Sequence, residues 1–408
     1  MKSKLLILLF ALIQTGLSGQ TIVSSLSELL PYLDDDGVDI KMTPGTYNIG
    51  PADKQSGLFP NEILFLFEGS NSTFDFTDVT FKIDTLMLQQ YGNIFVTELS
   101  VRGTNLVLKN LTMIDIGDNR PGRSAVGIEL NGTDNRLEGF HMTVRGSFPY
   151  GYGDIFGKGS GYVIKHYKHS AIQVKGVRNH LKDCKIIHRA YGHGIFCQGS
   201  VDALIEGCYV EGETRTSDEV LAEAGTGSPA DLVDFMAVWG YKLQPGWTFS
   251  RHEDGIRAYN SGSDFTNPDN SIRTTGLRVI DCTVKNMRSG VTIGLAAGEK
   301  YVEGCTALGV EEGFFVGSGG QVVNCAGNAQ HGPLFLDNYQ HDKNSTIDIT
   351  ILDNEEPYGP NIITYIGGSG HDITLRGGDE YYNPDMKIMV SGIREGLRQH
   401  IVLDGSDG

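Results

Sequence analysis

The sequence has little proline (13 of 408 residues) and no Gly-x-y period, so a collagen-like chain and long proline-rich tails are excluded. Positive charge is scarce beside negative charge. Lys and Arg number 33 against 50 Asp and Glu, for a net charge of −17. That balance argues against a general nucleic-acid binder, because such affinity comes largely from neutralising phosphates. It does not argue against a polyanion bound at one locally basic place. There is no second long apolar run after the one at the start, so no membrane span is expected. The six cysteines have spacings that suit no zinc motif.

The opening residues read as a signal peptide over residues 1–19: Lys2 and Lys4, an apolar core Leu5–Ile13, then Gly16, Ser18 and Gly19. An exported protein, periplasmic or secreted, is the expectation.

What the chain has in excess is glycine, 54 residues, set among short apolar runs. The runs repeat. One motif recurs at Leu108–Met113, Leu137–Met142, Leu181–Ile186, Ile205–Val210, Val279–Val284, Val302–Ala307 and Val322–Gly327. Its fourth positions are Leu111, Phe140, Cys184, Cys208, Cys282, Cys305 and Cys325. Uninterrupted neighbours lie 24, 23 and 20 residues apart. A second motif, a small residue before an alternating apolar strand, is interleaved with it: Ser170-Ala171-Ile172, His193-Gly194-Ile195, Asp254-Gly255-Ile256, Ser289-Gly290-Val291 and Glu312-Gly313-Phe314. Two strand signals per repeat predict an all-β, single-stranded right-handed parallel β-helix, in which equivalent positions stack into ladders. Five cysteines share one inward ladder position and Cys197 sits at another, so free buried thiols are expected rather than disulfides. Ser24–Leu33 reads as a capping helix over the open end. The solenoid is expected over 20–408, with insertions near 146–161, 211–250 and 261–274 forming walls over a binding face.

Charge is segregated. Between Lys158 and His193 stand six Lys, two Arg and five His against the single acid Asp183. Such a patch focuses anions. Aligning the second motif places Lys168, His169, Tyr191, His193, Arg257 and Tyr259 along one edge of three consecutive coils. These residue types suit β-elimination on a uronic acid polymer. Cations neutralise the carboxylate so that the C5 proton becomes acidic, a base takes it, and an acid protonates the leaving oxygen. Hydrolysis needs two positioned carboxyls. Gly192-His193-Gly194 matches a motif of β-helix polygalacturonases, but no Asn-Thr-Asp precedes it, and the nearest acid pair, Glu253-Asp254, comes later. The Asp-Pro-His-Asp signature of mannuronan epimerases and the clustered calcium-binding acids of pectate lyases are also missing.

The stretches Tyr152–Lys158, Ile164–Ser170, Tyr191–Phe196, Gly225–Trp239 and Glu253–Tyr259 resemble parallel β-helix polysaccharide lyases, most closely the alginate lyases of polysaccharide lyase family 31. The resemblance implies a Tyr and a Lys at work without a metal or cofactor. The expected catalytic residues are Tyr191 and His193 with Lys168 or Lys242. His169, His188, Arg189, Arg251, Arg257 and Tyr259 are expected to bind substrate. The expected partner is an anionic polysaccharide, and the expected state is a monomer. A β-helix hydrolase, a uronate epimerase and a non-catalytic glycan-binding solenoid are the alternatives.

Overall fold

The computed structural model describes residues 19–157, 162–238, 240–263, 269–328, 330–337, 341–353, 362–377, 387–390 and 400–404. Residues 1–18 of the expected signal peptide lie outside these residues, and no described helix is long and apolar enough to cross a membrane.

The chain is a parallel β-helix whose 32-stranded sheet winds through successive coils. A complete coil has three strands rather than the two that the repeats suggested. One such coil runs His169–Val177, His180–Lys182 and Lys185–Arg189. The repeated motif is therefore two short extended segments joined at a bent residue and the inward residue after it, and in the last copy they run on as one strand, Gln321–Gly327. The bent residue is Asn110, Gly139, Asp183, Gly207, Asp281, Gly304 or Asn324, and all seven have φ between 50° and 65°. Only Gly, Asn and Asp enter this left-handed region at low cost, so the motif carries one of the three at its third position.

The next residue turns inward and forms the predicted ladder. Leu111, Phe140, Cys184, Cys208, Cys282, Cys305 and Cys325 are all buried. All six cysteines are free. Their sulfurs also serve the backbone: the amides of Cys208, Cys282 and Cys305 donate to the Sγ atoms of Cys282, Cys305 and Cys325 at 3.4, 3.4 and 3.3 Å.

The first strand of each coil breaks its alternation at the small residue. Ala171 and Ile172 both enter the core. In the next coil a Cβ on Gly194 would come within 2.5 Å of Val210 Cγ1 and 2.7 Å of the Gly255 carbonyl. The position is small because two consecutive residues must face inward there. Upstream of it the in–out parity is inverted, and this decides which side chains reach the outer face.

The cap is shorter than predicted: an α-turn Leu26–Leu29 capped by Ser25, then a 3-10 turn Leu30–Tyr32. Leu26 and Leu29 close the end of the core. At the other end Thr346–Ile351, Asp372–Gly377 and His400–Asp404 pair in register, so the coils continue. The first two insertions pack together into a side lobe with its own small core of Tyr152, Ile155, Phe156, Val220 and Ala230. The second insertion carries a short helix, Ser217–Leu221, with a Thr216–Glu219 capping box. The third insertion is a hairpin, Ser261–Ser263 with Ser271–Arg273.

Candidate active site

Three first strands stack side by side at the centre of the solenoid. Ile172, Ile195 and Ile256 are register partners facing the core, and Gln173, Phe196 and Arg257 are register partners facing out. Above them is a groove of about 320 Å³ lined by Lys168, Ser170, Gln173, His193, Phe196, Gln198, Glu253 and Tyr259, among others.

His193 is its hub. Its Nε2 lies 2.7 Å from the Tyr259 hydroxyl and 3.3 Å from Glu253 Oε2. Its Nδ1 accepts the Asp254 amide N–H at 3.3 Å and lies 3.5 Å from Asp254 Oδ2, so the hydrogen of the neutral ring is on Nε2. The other Glu253 oxygen takes Lys168 Nζ at 2.5 Å. Asp254 is clamped by Arg257 at 2.6 Å, by Ser289 at 2.5 Å and by Arg288. Gln173 Nε2 donates to Gln198 Oε1 at 3.0 Å.

The charges follow from these contacts. Burial alone would raise Asp254, but Arg288 and Arg257 outweigh it and hold the carboxyl far below the usual range. Burial likewise opposes ionisation of Glu253, and His193 and Lys168 overcome it, so this carboxyl is also lowered. Burial lowers His193 despite its two acidic neighbours, leaving a neutral imidazole at pH 7. Burial, reinforced by Glu253, raises Tyr259, which therefore keeps its proton. The groove thus holds a protonated phenol on a neutral imidazole, backed by two ionised carboxylates and flanked by Lys168 and Arg257.

Four of the ten residues expected from sequence meet here: Lys168, His193, Arg257 and Tyr259. The other six are placed differently. Tyr191 is 1% exposed. The side lobe covers it: its hydroxyl donates to Asp154 at 2.8 Å and its ring packs on His166 at 4.7 Å. It lies beneath Lys168, whose Nζ sits 5.3 Å from the ring centroid. Lys242 is exposed on the lobe, bridged to Met236, and does not line the groove. His169 and His188 are fully buried inside the coils, where no polymer reaches them. Arg189 and Arg251 pair with Glu213, at 2.9 and 3.4 Å, and line no wall of the groove. The basic run is also less concentrated than it looked, because acids from neighbouring coils answer it. Lys175 pairs with Glu129, and Lys182 and His180 pair with Glu206.

The residues that sequence reading left out of the site were Glu253, Asp254, Ser170, Gln173 and Gln198, together with Asp154 and Arg288 behind them. Ser170 and Asp254 were readable from the register column of His193, Gln198 from that of Tyr259 and Gln173 from that of Arg257, whereas Glu253 falls in the column of His169. Asp154 and Arg288 arrive through the lobe and through a later coil.

Beneath the site lie buried imidazoles. His252 gives its Nδ1 hydrogen to the Ala190 carbonyl (2.7 Å) and accepts the Glu213 amide at Nε2 (2.7 Å). Accepting at Nε2 requires the neutral ring. Burial lowers His252 to about 4. The unfolded chain therefore binds this proton first as pH falls, and the stability the neutral ring contributes above 6.5 is lost progressively toward 4. One such group is worth about 3 kcal/mol. The thermal midpoint is expected to drop steeply between pH 6.5 and 4. A midpoint that stays flat across that window would show that the buried rings are protonated in the fold.

No protein-family model matches the sequence, and no curated protein matches it. Several solved structures are similar in fold. An endo-xylogalacturonan hydrolase from Aspergillus tubingensis aligns at 11% identity with a TM-score of 0.50, covering 95% of this chain and 100% of that one. A mannuronic acid specific polysaccharide family 6 lyase from human gut microbiota aligns at 10% identity and TM-score 0.48, covering 95% and 81%. The A-module of a mannuronan C-5 epimerase from Azotobacter vinelandii aligns at 10% identity and TM-score 0.44, covering 95% and 97%. Likeness at this level concerns the fold, which is the right-handed parallel β-helix.

Proposed function

We propose that this protein is an exported polysaccharide lyase that cleaves a uronic acid polymer, alginate in the first instance, by β-elimination in the His193–Tyr259 groove. The observation that carries this reading is the Tyr259–His193–Glu253 chain of contacts beside Lys168. The groove supplies the parts that elimination needs. Lys168, with the amides of Gln173 and Gln198, faces the sugar carboxylate and stabilises the charge that builds on it. Tyr259 oxygen takes the C5 proton while its own proton passes to His193 Nε2, whose hydrogen moves to Glu253 Oε2, 3.3 Å away. The imidazole stays neutral, its Nδ1 lone pair held by the Asp254 amide, and the relayed proton rests on the Glu253 carboxyl. Tyr259 then gives its proton to the departing O4, His193 Nε2 returns a proton to the phenolate, and Glu253 gives its own back to Nε2. Every proton is accounted for, and the C4–O bond breaks as the C4–C5 double bond forms. The family 31 resemblance of the motifs around this groove points to the same substrate.

Hydrolysis fits the groove less well. It needs one carboxyl kept protonated as the acid. Both candidates are held ionised, Glu253 by His193 and Lys168, Asp254 by two arginines.

The test is the product formed from alginate, polymannuronate, polyguluronate and polygalacturonate. Elimination leaves an oligomer with an unsaturated, ultraviolet-absorbing end, one water lighter than the hydrolysis product. An unsaturated product from at least one of these polymers is expected. Saturated ends alone would replace the lyase by a hydrolase, unchanged chain length with altered sugars would indicate an epimerase, and no change on any of them would leave a binding solenoid.

A further inference from the structure

Away from the groove lining, the interior holds a second group of ionisable side chains. Glu98, Asp115 and His169 each aim one ligand atom at a common point, with all three atoms within 4.8 Å of one another. Their exposures are 1%, 3% and 0%. The fold explains how they meet. Glu98 stands in the ladder column whose next member is Gly127, since Thr97 and Leu99 pair with Val126 and Ile128. A Cβ on Gly127 would meet Met142 Cε at 2.6 Å and the Ala171 carbonyl at 3.1 Å, so the column is bare beside Glu98. His169 enters from the coil above because the parity break at Ala171 turns it inward. Asp115 comes from the strand Thr112–Ile116 at the same corner.

The hydrogen bonds leave this group incomplete. His169 Nδ1 lies 2.7 Å from the Arg145 carbonyl. A carbonyl only accepts, so Nδ1 carries a hydrogen, and in the neutral ring Nε2 is the atom left as a lone pair. That Nε2 faces Glu98 Oε1 at 3.6 Å, and among the described residues neither atom has a hydrogen-bond partner. Two buried acceptors that face each other repel unless something positive stands between them. An imidazole fixed through Nδ1–H to a backbone carbonyl is the usual second-shell arrangement of a histidine metal ligand. The spacing also suits an ion: tetrahedral ligands about 2.0–2.1 Å from zinc lie roughly 3.3–3.5 Å apart.

We propose that Glu98, Asp115 and His169 form a buried binding site for one divalent first-row transition ion, of which zinc is the best-fitting example. The imidazole selects against calcium and magnesium, which prefer all-oxygen sites. One dication neutralises two buried carboxylates at once. The role is structural: the ion ties three coils together directly below Lys168 and Ser170, which line the groove on either side of His169. The reaction proposed above does not pass through this site.

The test uses the full chain, expressed in zinc-supplemented medium and desalted, with metal content and thermal midpoint as readouts. About one zinc per chain is expected, with a midpoint that falls after prolonged dialysis against a strong chelator. Glu98→Gln and Asp115→Asn keep the side-chain shapes and should each lower the zinc content at least tenfold. Retained groove activity in these variants shows that they fold. Zinc below a tenth per chain, with a midpoint indifferent to chelator, would overturn the proposal and leave a proton shared by the two carboxyls as what holds them together. Full zinc content in both variants would equally overturn it, by locating the metal elsewhere.

Discussion

Tyr259→Phe should lower turnover on a cleaved polyuronate by about 100- to 10,000-fold, the range for a single group in general acid–base catalysis, with little change in KM. The hydroxyl that is lost has one described partner, His193 Nε2 at 2.7 Å, and the ring that remains keeps its edge contacts with His193 and Phe196. The fold should therefore be intact by circular dichroism and thermal midpoint. His193→Ala should cost a similar factor, because the phenol then has nowhere to pass its proton. If the two act as one relay, the double variant should be little worse than either single variant. Multiplying losses in the double variant would mean that the residues act independently and that the relay is wrong. Lys242→Ala is the contrast. The Tyr–Lys expectation made it a catalytic candidate, but it stands exposed on the lobe, and its variant should turn over at near the unaltered rate.

Asp254→Ala should be the most damaging substitution to stability, by about 3–5 kcal/mol, the cost of removing one partner from a buried charge pair. The carboxylate is 1% exposed and answers Arg257, Arg288 and Ser289 together. Truncation leaves a guanidinium on Arg288 that is itself almost enclosed and retains Asp154 at 3.2 Å. It also removes the carboxylate beside His193 Nδ1, so activity should fall as well. Asp254→Asn separates the two effects, since it keeps the shape and part of the hydrogen bonding but not the charge. A midpoint within a degree or two of the unaltered protein for Asp254→Ala would show that the arginines find water or other partners, and that the clamp is not structural.

The β-helix could be read from the sequence because its rules are local. An Asn, Asp or Gly bends each coil, the next residue points inward, and the same type recurs about one coil later, as the cysteine ladder does. The groove could be read in part, for the same reason. His193, Arg257 and Tyr259 lie downstream of or beside the small-residue column, where their positions repeat from coil to coil. His169 was misplaced because counting by twos back from Ile172 ignores the extra inward residue at Ala171. The true parity puts Ser170 outside and His169 in the core. Tyr191 was misplaced for another reason. Its coil position is right, but Asp154 and His166 of the lobe close over it, and the path of an insertion leaves no periodic trace. Lys242 fails in the same way. His188 is the inward partner of Val144 in its ladder, and only the register of the third strand reveals that.

The central claim is that this groove removes a proton from C5 of a uronic acid and breaks the chain in the same event. The most direct measurement uses alginate deuterated at C5 and follows chain cleavage together with the fate of the label. The account predicts that deuterium appears in solvent in step with each new unsaturated end, and that Tyr259→Phe slows both equally. Chain cleavage with the deuterium retained at C5 would contradict it, and would transfer the chemistry from the phenol and imidazole to the carboxylates of Glu253 and Asp254.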